Sequence, residues 1–448
     1  MCKYLNDQRL SVALGVVFTI ENFTTVVIFY ANSETMTIRA SKFYGAGLHN
    51  LVRSTLMNSF TLITLLTLIQ AFCTILYGTR ILVWCGLEEI LARDCTTLLI
   101  KLLPVEILIQ YTKILNSYLV SLGENISGYG FMIIASLIMM LVGYLLLLFT
   151  SLVFWSYIIT TTTIQLIMFS VVLYLFVAKI EPKYRHFSDF GGSSRSLGGY
   201  LVDFVLFFIG TFGDSLGWEM AVYFAILTKD NDQIAAMTYI VNLACYICNF
   251  SRGPSSVAQA IVNTLIGAKC KRAAKKYTIV FLVGMAALGV LIGIGVHLCA
   301  RQIAEIFIVS SNHNLLSLST RAFRLYSFWI PQDLIFIGIM TAARSAGLAT
   351  LSIILNILFP VVGQIAFALW LKSAGRLYWS AILINAYVMF FIMFTIIVVI
   401  LACMDWTKIP DTPEIHEERQ QENHIILESQ GDIHEGIRKG EELQEQKI

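Results

Sequence analysis

Long apolar segments alternate with short polar connections along most of the chain, from about residue 10 to residue 402. A helix that crosses a bilayer needs about 20 mainly apolar residues. By this criterion, eleven spans are predicted, at 10–31, 53–77, 93–118, 126–149, 152–178, 201–228, 233–252, 276–299, 317–342, 349–371 and 378–402. Prolines fall within or at the edge of some spans, where neighbouring helices or water can satisfy the freed carbonyls. The pattern therefore predicts an all-α polytopic membrane protein.

The composition excludes several classes of protein. Of the 448 residues, 57% are hydrophobic and only 13% are charged, against roughly 25% charged in an ordinary soluble domain. A soluble enzyme, a nucleic-acid binder and a secreted disulfide scaffold are each incompatible with so little polar surface. An intramembrane metalloenzyme is also disfavoured, because only His297 among the seven histidines lies within a predicted span. We therefore expect neither enzymatic activity nor a metal or cofactor.

Charge is distributed unevenly and predicts an orientation. From residue 404 onward the chain carries 12 acidic and five basic side chains, which is typical of a solvated, disordered tail. Lys and Arg are concentrated in the connections near 39–42, 179–195 and 269–276. These connections lie on the same side if the span count is right. The positive-inside rule predicts that this side, together with the tail, is cytoplasmic.

Two pairs of motifs indicate an internal repeat. Gly45-Ala46 and Gly267-Ala268 are 222 residues apart, and Gly143 and Gly363 are 220 apart. The similar offsets predict a duplicated half, related by an axis along the membrane normal, as in many secondary transporters. Shifting the span 201–228 back by this offset finds no partner, so the first half is predicted to lack its first helix. The alternative is that eleven helices are native and nothing is missing.

Carboxylates within the spans are the main candidates for chemistry: Glu21, Glu106, Asp203, Asp214, Glu219 and Asp333. An acid at mid-bilayer costs about 2.5–3.5 kcal/mol on insertion scales, so each is expected to face a cavity or a partner. Such a group can bind a proton and, once ionised, an organic cation. One residue type can thus provide both substrate binding and proton coupling.

Position along the spans ranks these acids. Glu219 and Asp333 lie well inside their spans and are the strongest candidates. Asp214 ranks third, because positions 214 and 219 are about 140° apart on a regular helix. Asp203, near a helix start, and Glu106, next to Pro104, are interpreted as capping or kink residues.

Several motifs resemble the multidrug and toxin extrusion (MATE) transporters, in particular their eukaryotic branch. Asp214-Ser-Leu-Gly-Trp218-Glu219 is similar to the Glu-Trp-Trp-x-Phe/Tyr-Glu motif of the family's seventh helix, and 235–242 resembles its eighth helix. Ala343-Arg-Ser-Ala-Gly347 resembles the end of the tenth helix, and 37–47 the loop after the second helix. The resemblance covers nearly the whole chain and is strongest over 213–370. The chain departs from the family pattern at Thr37, Lys42 and Asn242, where the family has an acid, a Gln and often an acid.

The resemblance implies a two-lobed architecture. Residues 1–180 would form an N-terminal lobe with family helices 2–6, and 201–403 a C-terminal lobe with helices 7–12. Residues 181–200 would form a cytoplasmic loop between the lobes, and 404–448 the acidic tail. The protein would be monomeric and lie in a plasma or vacuolar membrane.

The resemblance also implies a function. The family exports organic cations or amphipathic metabolites in exchange for protons or, alternatively, Na⁺, by alternating access. Asp214, Glu219 and Asp333 would then couple proton and substrate binding. The cavity would include Trp218, whose ring can face a cation, together with Asn242 and Asn22, although Asn22 could instead bond across helices.

Two alternative functions stay open. A related flippase for lipid-linked sugars shares the two-lobe plan, but it would favour an Arg-rich cavity. The charges at mid-span are acids, and we expect no Arg to lie deep in the protein. The other alternative is a truncated, non-transporting MATE-like protein.

Overall fold

The structure, a computed structural model, describes residues 16–17, 20–124, 138, 141–142, 145, 153–180, 197–308, 313–409, 413–417 and 420. Its α-helices are α1 (Val27–Gly45), α2 (His49–Trp84), α3 (Glu89–Ser121), α4 (Val153–Leu175), α5 (Leu197–Ile226), α6 (Asn231–Gly267), α7 (Lys271–Leu298), α8 (Ala300–Phe307), α9 (His313–Ser327), α10 (Ile330–Ser345), α11 (Ala349–Ile357), α12 (Gln364–Ser373) and α13 (Trp379–Cys403). π-helical turns occur at Asn22–Val26, Phe176–Ile180 and Leu358–Gly363.

Most of the predicted spans coincide with helices. Within the described residues, seven helices are long and apolar enough to cross a membrane, or eight if the bent pair α9–α10 forms one span. The predicted span 126–149 lies outside the described residues apart from isolated positions. The chain is thus an all-α, integral, multi-pass membrane protein.

The first described helix runs well past its predicted end. The apolar pattern placed this end at residue 31, but α1 continues to Gly45 through a polar stretch. The polar side chains there are buried because they find partners. Asn32 donates to the Ser59 hydroxyl (2.8 Å) and accepts from the Tyr200 hydroxyl (2.6 Å). Hydropathy alone misplaces this boundary, because the helix is stabilised by hydrogen bonds to other helices.

The buried apolar residues form two sets of clusters. One set uses residues of α1 to α4, including Phe43, Leu56 and Tyr118. The other uses residues from α5 onward, including Phe224, Phe323 and Tyr387. A smaller cluster joins the two bundles where Ile38 and Leu62 meet α5. The protein is thus two-lobed, and we call the contact between the bundles the seam.

The internal repeat is confirmed by a symmetric contact at the seam. A Cβ on Gly45 of α1 would overlap the backbone carbonyl of Thr264 in α6. A Cβ on Gly267 of α6 would overlap the backbone carbonyl of Lys42 in α1. Both pairs, 45 with 267 and 42 with 264, have the offset of 222 found in the sequence. Glycine is required at both positions because two helix backbones touch there.

A break between α9 and α10 shapes the C-terminal bundle. The predicted span 317–342 is in fact two helices that meet at an angle of 49°. Pro331 occupies the start of α10, where its missing N–H removes no helical hydrogen bond. The break places Asp333 in the first turn of α10, inside the bundle.

Candidate functional site

Asp333 is held deep in the C-terminal bundle by two tyrosines. Its side chain is 4% exposed. The hydroxyls of Tyr326 on α9 and Tyr387 on α13 both donate to Oδ2, at 2.9 and 3.1 Å. The ring of Trp329 stacks on Tyr387, with centroids 4.9 Å apart. These bonds, with the positive end of the α10 dipole, favour the carboxylate, whereas burial disfavours it.

The motif on α5 brings Trp218 and Glu219 close to this group. Trp218 packs against Tyr387 and Phe390, with ring centroids at 5.6 and 5.3 Å. Glu219 is half-buried, and no hydrogen bond or ion pair to it is found among the described residues. Trp218 therefore contributes to the packing between α5 and α13, and the carboxylate of Glu219 is unpaired within the described part of the chain.

One side of α6 lies near these acids. Cys245 is accessible, yet it lies within electrostatic reach of Asp214, Glu219 and Asp333. Asn242, one helical turn earlier, is also exposed. Cys245 is therefore near all three predicted acids, which come from two different helices. Within the described part of the chain, no group of three or more His, Cys, Asp or Glu side chains is arranged to hold a metal ion.

Asp214 lies at the seam, beside charged side chains of both bundles. Its Oδ2 is 3.8 Å from an Nη of Arg252, which is too long for a hydrogen bond, and Oδ1 is buried without a partner. The Arg252 guanidinium in turn stacks on the Tyr30 ring of the other bundle, 3.8 Å from its centroid. Two further side chains, Glu34 of α1 and Arg344 of α10, form an ion pair across the seam. All four charged groups line a cavity of about 20 Å³, which is room for about one water molecule.

The expectation that no Arg lies deep is wrong. Arg39 and Arg344 are almost fully buried, and Arg252 is largely buried. Each has an acid nearby: Glu34 for Arg344, Asp214 for Arg252, and Asp203 for Arg39 at 2.7 Å. Pairing with an acid reduces the free-energy penalty for burying these charges, so hydropathy does not predict where these arginines lie.

The same ion pairs change the interpretation of other residues. Asp203 is a cross-seam partner of Arg39 and not a helix cap. Arg39 also pairs with Glu414, and the neighbouring Ile415 is buried against the N-terminal bundle, so part of the acidic tail packs onto the seam. Glu106 is buried inside the N-terminal bundle and bonded to Thr25, instead of acting at a kink. The side chain of Asn22 lies outside the described residues.

Sequence reasoning missed Glu34, Arg252 and Arg344 for one shared reason. Each lies at or just beyond the end of a predicted span, and the helices continue further. A complementary signal was available, because a charged residue lies within three positions of the predicted end of the span at all three places. Tyr326 and Tyr387 had no signal of their own, since only the bend before α10 and the packing of α13 bring them to Asp333.

Comparison with known proteins identifies the fold. Residues 1–145 match the family model MatE, so this match falls in the first half, whereas the motifs had suggested the closest likeness over 213–370. The eukaryotic MATE transporter AtDTX14 superimposes with a TM-score of 0.74 at 13% identity, covering 93% of this chain and 91% of that one. A multidrug resistance MATE family transporter of the MOP superfamily, in an outward-facing conformation, gives 0.70 at 16% identity, covering 88% of each chain.

A third structure has a different reported character. A MOP superfamily transporter from Pyrococcus furiosus, for which a reverse polarity of the binding pocket suggests a different function, gives a TM-score of 0.72 at 15% identity, with 88% of each chain covered. No curated protein sequence matches the chain. The chain therefore has the MATE transporter fold, as the motifs predicted.

Proposed function

We propose that this chain, which has the fold of the MATE transporters, is an antiporter that exports organic cations or amphipathic metabolites in exchange for protons. The observation that carries the proposal is Asp333. This acid is buried in a membrane bundle, bonded to two tyrosine hydroxyls, and has no basic partner among the described residues. Intramembrane acids of this kind are costly unless they bind a proton or another cation during function.

Glu219 supplies the substrate-binding part of the proposal. Its unpaired carboxylate lies beside the accessible face of α6 that carries Asn242 and Cys245. An organic cation at this face would be attracted to Glu219 and, over a longer distance, to Asp333. Proton binding at Asp333 would weaken that attraction, so that proton and substrate compete. Competition for one set of charges, combined with alternating access, would produce exchange.

The seam supplies the conformational part. Alternating access requires the two bundles to part at one end while they close at the other. The ion pairs Glu34–Arg344 and Arg39–Asp203 each join the two bundles. Both ion pairs must break when the bundles part at the end that contains them. Asp214, whose Oδ2 lies 3.8 Å from Arg252 and whose Oδ1 has no partner among the described residues, would link the seam to Glu219 on the same helix.

The deep arginines do not favour the flippase alternative. A pyrophosphate group would need guanidinium groups that are free to bind it. Arg344 is instead paired with Glu34, and Arg252 lies beside Asp214 and covers the Tyr30 ring. Among the described residues, the acids and arginines of the seam therefore roughly balance, whereas Asp333 and Glu219 of the C-terminal bundle have no basic partner.

The test is pH-gradient-driven movement of a fluorescent organic cation in proteoliposomes. We expect Asp333→Asn and Glu219→Gln to abolish exchange. The control is Glu89→Gln, which removes an exposed acid paired with Arg93 and should transport like the wild type. If both buried-site variants exchange the cation normally, the assignment of coupling to these acids is wrong. Replacing the pH gradient with a Na⁺ gradient identifies the coupling ion.

A further inference from the structure

The start of the tail, directly after α13, is fixed to the C-terminal bundle. Trp406 and Ile409 are each 3% exposed and belong to an apolar cluster of that bundle. The indole of Trp406 donates to the carbonyl of Leu401 near the end of α13 (3.0 Å). The amine of Lys271, at the start of α7, donates to the carbonyl of Ile409. Residues 406–409 are thus part of the folded C-terminal bundle.

A few positions later, the tail is fixed to the other bundle. Residues 413–417 are helical, and Ile415 is 3% exposed within the apolar cluster of α1 to α4. The neighbouring Glu414 forms an ion pair with Arg39 of α1, whose side chain is 4% exposed. Ile415 is therefore as buried in the N-terminal bundle as Ile409 is in the C-terminal one.

The tail also contacts α5 where this helix begins. Arg39 pairs with Asp203 of α5 through Nη1 and with Glu414 through Nη2, so one guanidinium joins α1, α5 and the tail. A Cβ on Gly199, in the first turn of α5, would overlap the Glu414 carboxylate and lie 3.1 Å from an Nη of Arg39. The tail carboxylate thus lies against the α5 backbone, with no space for a side chain between them.

All these contacts lie at the end of the protein where α1 and α6 cross. Arg39 is six positions before Gly45 on α1, and Lys271 follows Gly267 by four positions. The tail therefore spans the seam at this end, held by one bundle at its start and by the other bundle at its helical turn. Two bundles joined in this way cannot part here unless the tail detaches from one of them.

We propose that residues 406–409 and 413–417 form a clasp that keeps this end of the protein closed, and that the end opens when residues 413–417 leave Arg39. The helical turn is the part that detaches, because a single ion pair and one isoleucine hold it to the N-terminal bundle. An ion pair can be replaced by water on both partners, and the turn is short. The clasp goes beyond the proposed function, since it concerns the opening of one end whatever the protein transports.

Hydrogen–deuterium exchange of the full chain in lipid nanodiscs, measured without substrate, tests the clasp. Glu414→Gln/Ile415→Ala weakens the contact from the tail side, and Glu417→Gln, at an exposed position of the same turn, is the matched control. We expect the backbone amides of residues 39–45 and 197–203 to exchange faster in the double variant and at the wild-type rate in the control. The increase should be about tenfold or more, because burial of one large aliphatic side chain shifts an equilibrium by at least that factor.

Two adjacent glycines provide the same test without a change in the tail. Gly199→Ala should displace the Glu414 carboxylate and speed exchange in residues 413–417 and 39–45, whereas Gly198→Ala, with no atom within 4 Å of the new methyl group, should not. This pair decides alone if the double variant in the tail does not fold. The proposal is overturned if the folded variants leave residues 39–45 at the wild-type rate, including when only the tail exchanges faster. Failure of cation transport by the wild type would contradict the proposed function and leave the clasp unaffected.

Discussion

The ion pair between Glu34 and Arg344 offers a direct measure of how strongly the seam is held. The Arg344 side chain is 5% exposed and that of Glu34 is 19% exposed, so the pair is shielded from water. Removing one partner of a buried pair typically costs about 3–5 kcal/mol, because the other charge stays buried without compensation. Glu34→Gln keeps a side-chain oxygen that can accept a hydrogen bond from Arg344, and the side chain at position 34 is partly accessible to water. We therefore expect a loss of stability near the lower value, about 3 kcal/mol.

The assay is unfolding by SDS titration in mixed micelles, followed by circular dichroism. The control is Glu305→Gln, which breaks the exposed pair with Arg301 (71% and 51% exposed, 3.0 Å). Exposed pairs contribute only about 0–1 kcal/mol. The double variant Glu34→Gln/Arg344→Met should recover much of the loss, because no charge is then left unpaired. The reasoning is refuted if Glu34→Gln and Glu305→Gln destabilise the protein equally.

Two further predictions concern other parts of the fold. Gly267→Ala should destabilise the protein by about 1–3 kcal/mol or more, because the new methyl group would overlap the Lys42 carbonyl. The control is Gly295→Ala, which should be neutral or stabilising in the same SDS titration, because no atom lies near the new methyl group there. Equal effects of the two would contradict the close helix crossing. Asp230, at the N-terminus of α6, accepts hydrogen bonds from the side chain and backbone of Gln233, which hold its pKa below the ordinary value. The contribution of Asp230 to the free energy of unfolding should therefore be full above its unfolded pKa of about 3.9 and should be lost as the pH falls through its native pKa. A stability difference between wild type and Asp230→Ala that is independent of pH would contradict this prediction.

The glycine crossing and the ion pairs together describe how the two bundles meet. At Gly45 and Gly267 the helix backbones touch, which gives a close contact without side chains in between. Around this contact, the charged pairs join α1 to α5 and α10. The seam also contains the apolar cluster in which Ile38 and Leu62 meet α5, so backbone, charged and apolar contacts together hold the two bundles.

The fold was largely predictable because its main determinants are local. A run of about 20 apolar residues must span the bilayer whatever its neighbours are. The repeated Gly-Ala motif, with copies 222 residues apart, marked the two positions at which α1 and α6 cross. The motif from Asp214 to Glu219 likewise singled out α5 as a helix that carries candidate acids.

The candidate site was predictable only in part, as three residues illustrate. Asp333 was identified from its position inside an apolar span, but its two tyrosine partners lie seven and 54 positions away. Glu106 was assigned to a kink because it follows Pro104, whereas its real partners are on α1 and α2. Trp218 is predicted to offer its ring to a substrate, and nothing in the sequence indicated that this half-buried ring also packs against Phe390 of α13.

By itself, the sequence determined which segments enter the membrane and that the chain is built from two similar halves, because transfer from water to lipid is a property of each segment taken alone. Only the tertiary structure decided where α1, α6 and α10 end and which charges pair across the seam. The free energy of a buried charge depends on a partner from a distant helix, and Arg344 with Glu34, 310 residues apart, is the clearest case. Hydropathy carries no information about such a partner, so the polar interior of this protein is a property of its packing.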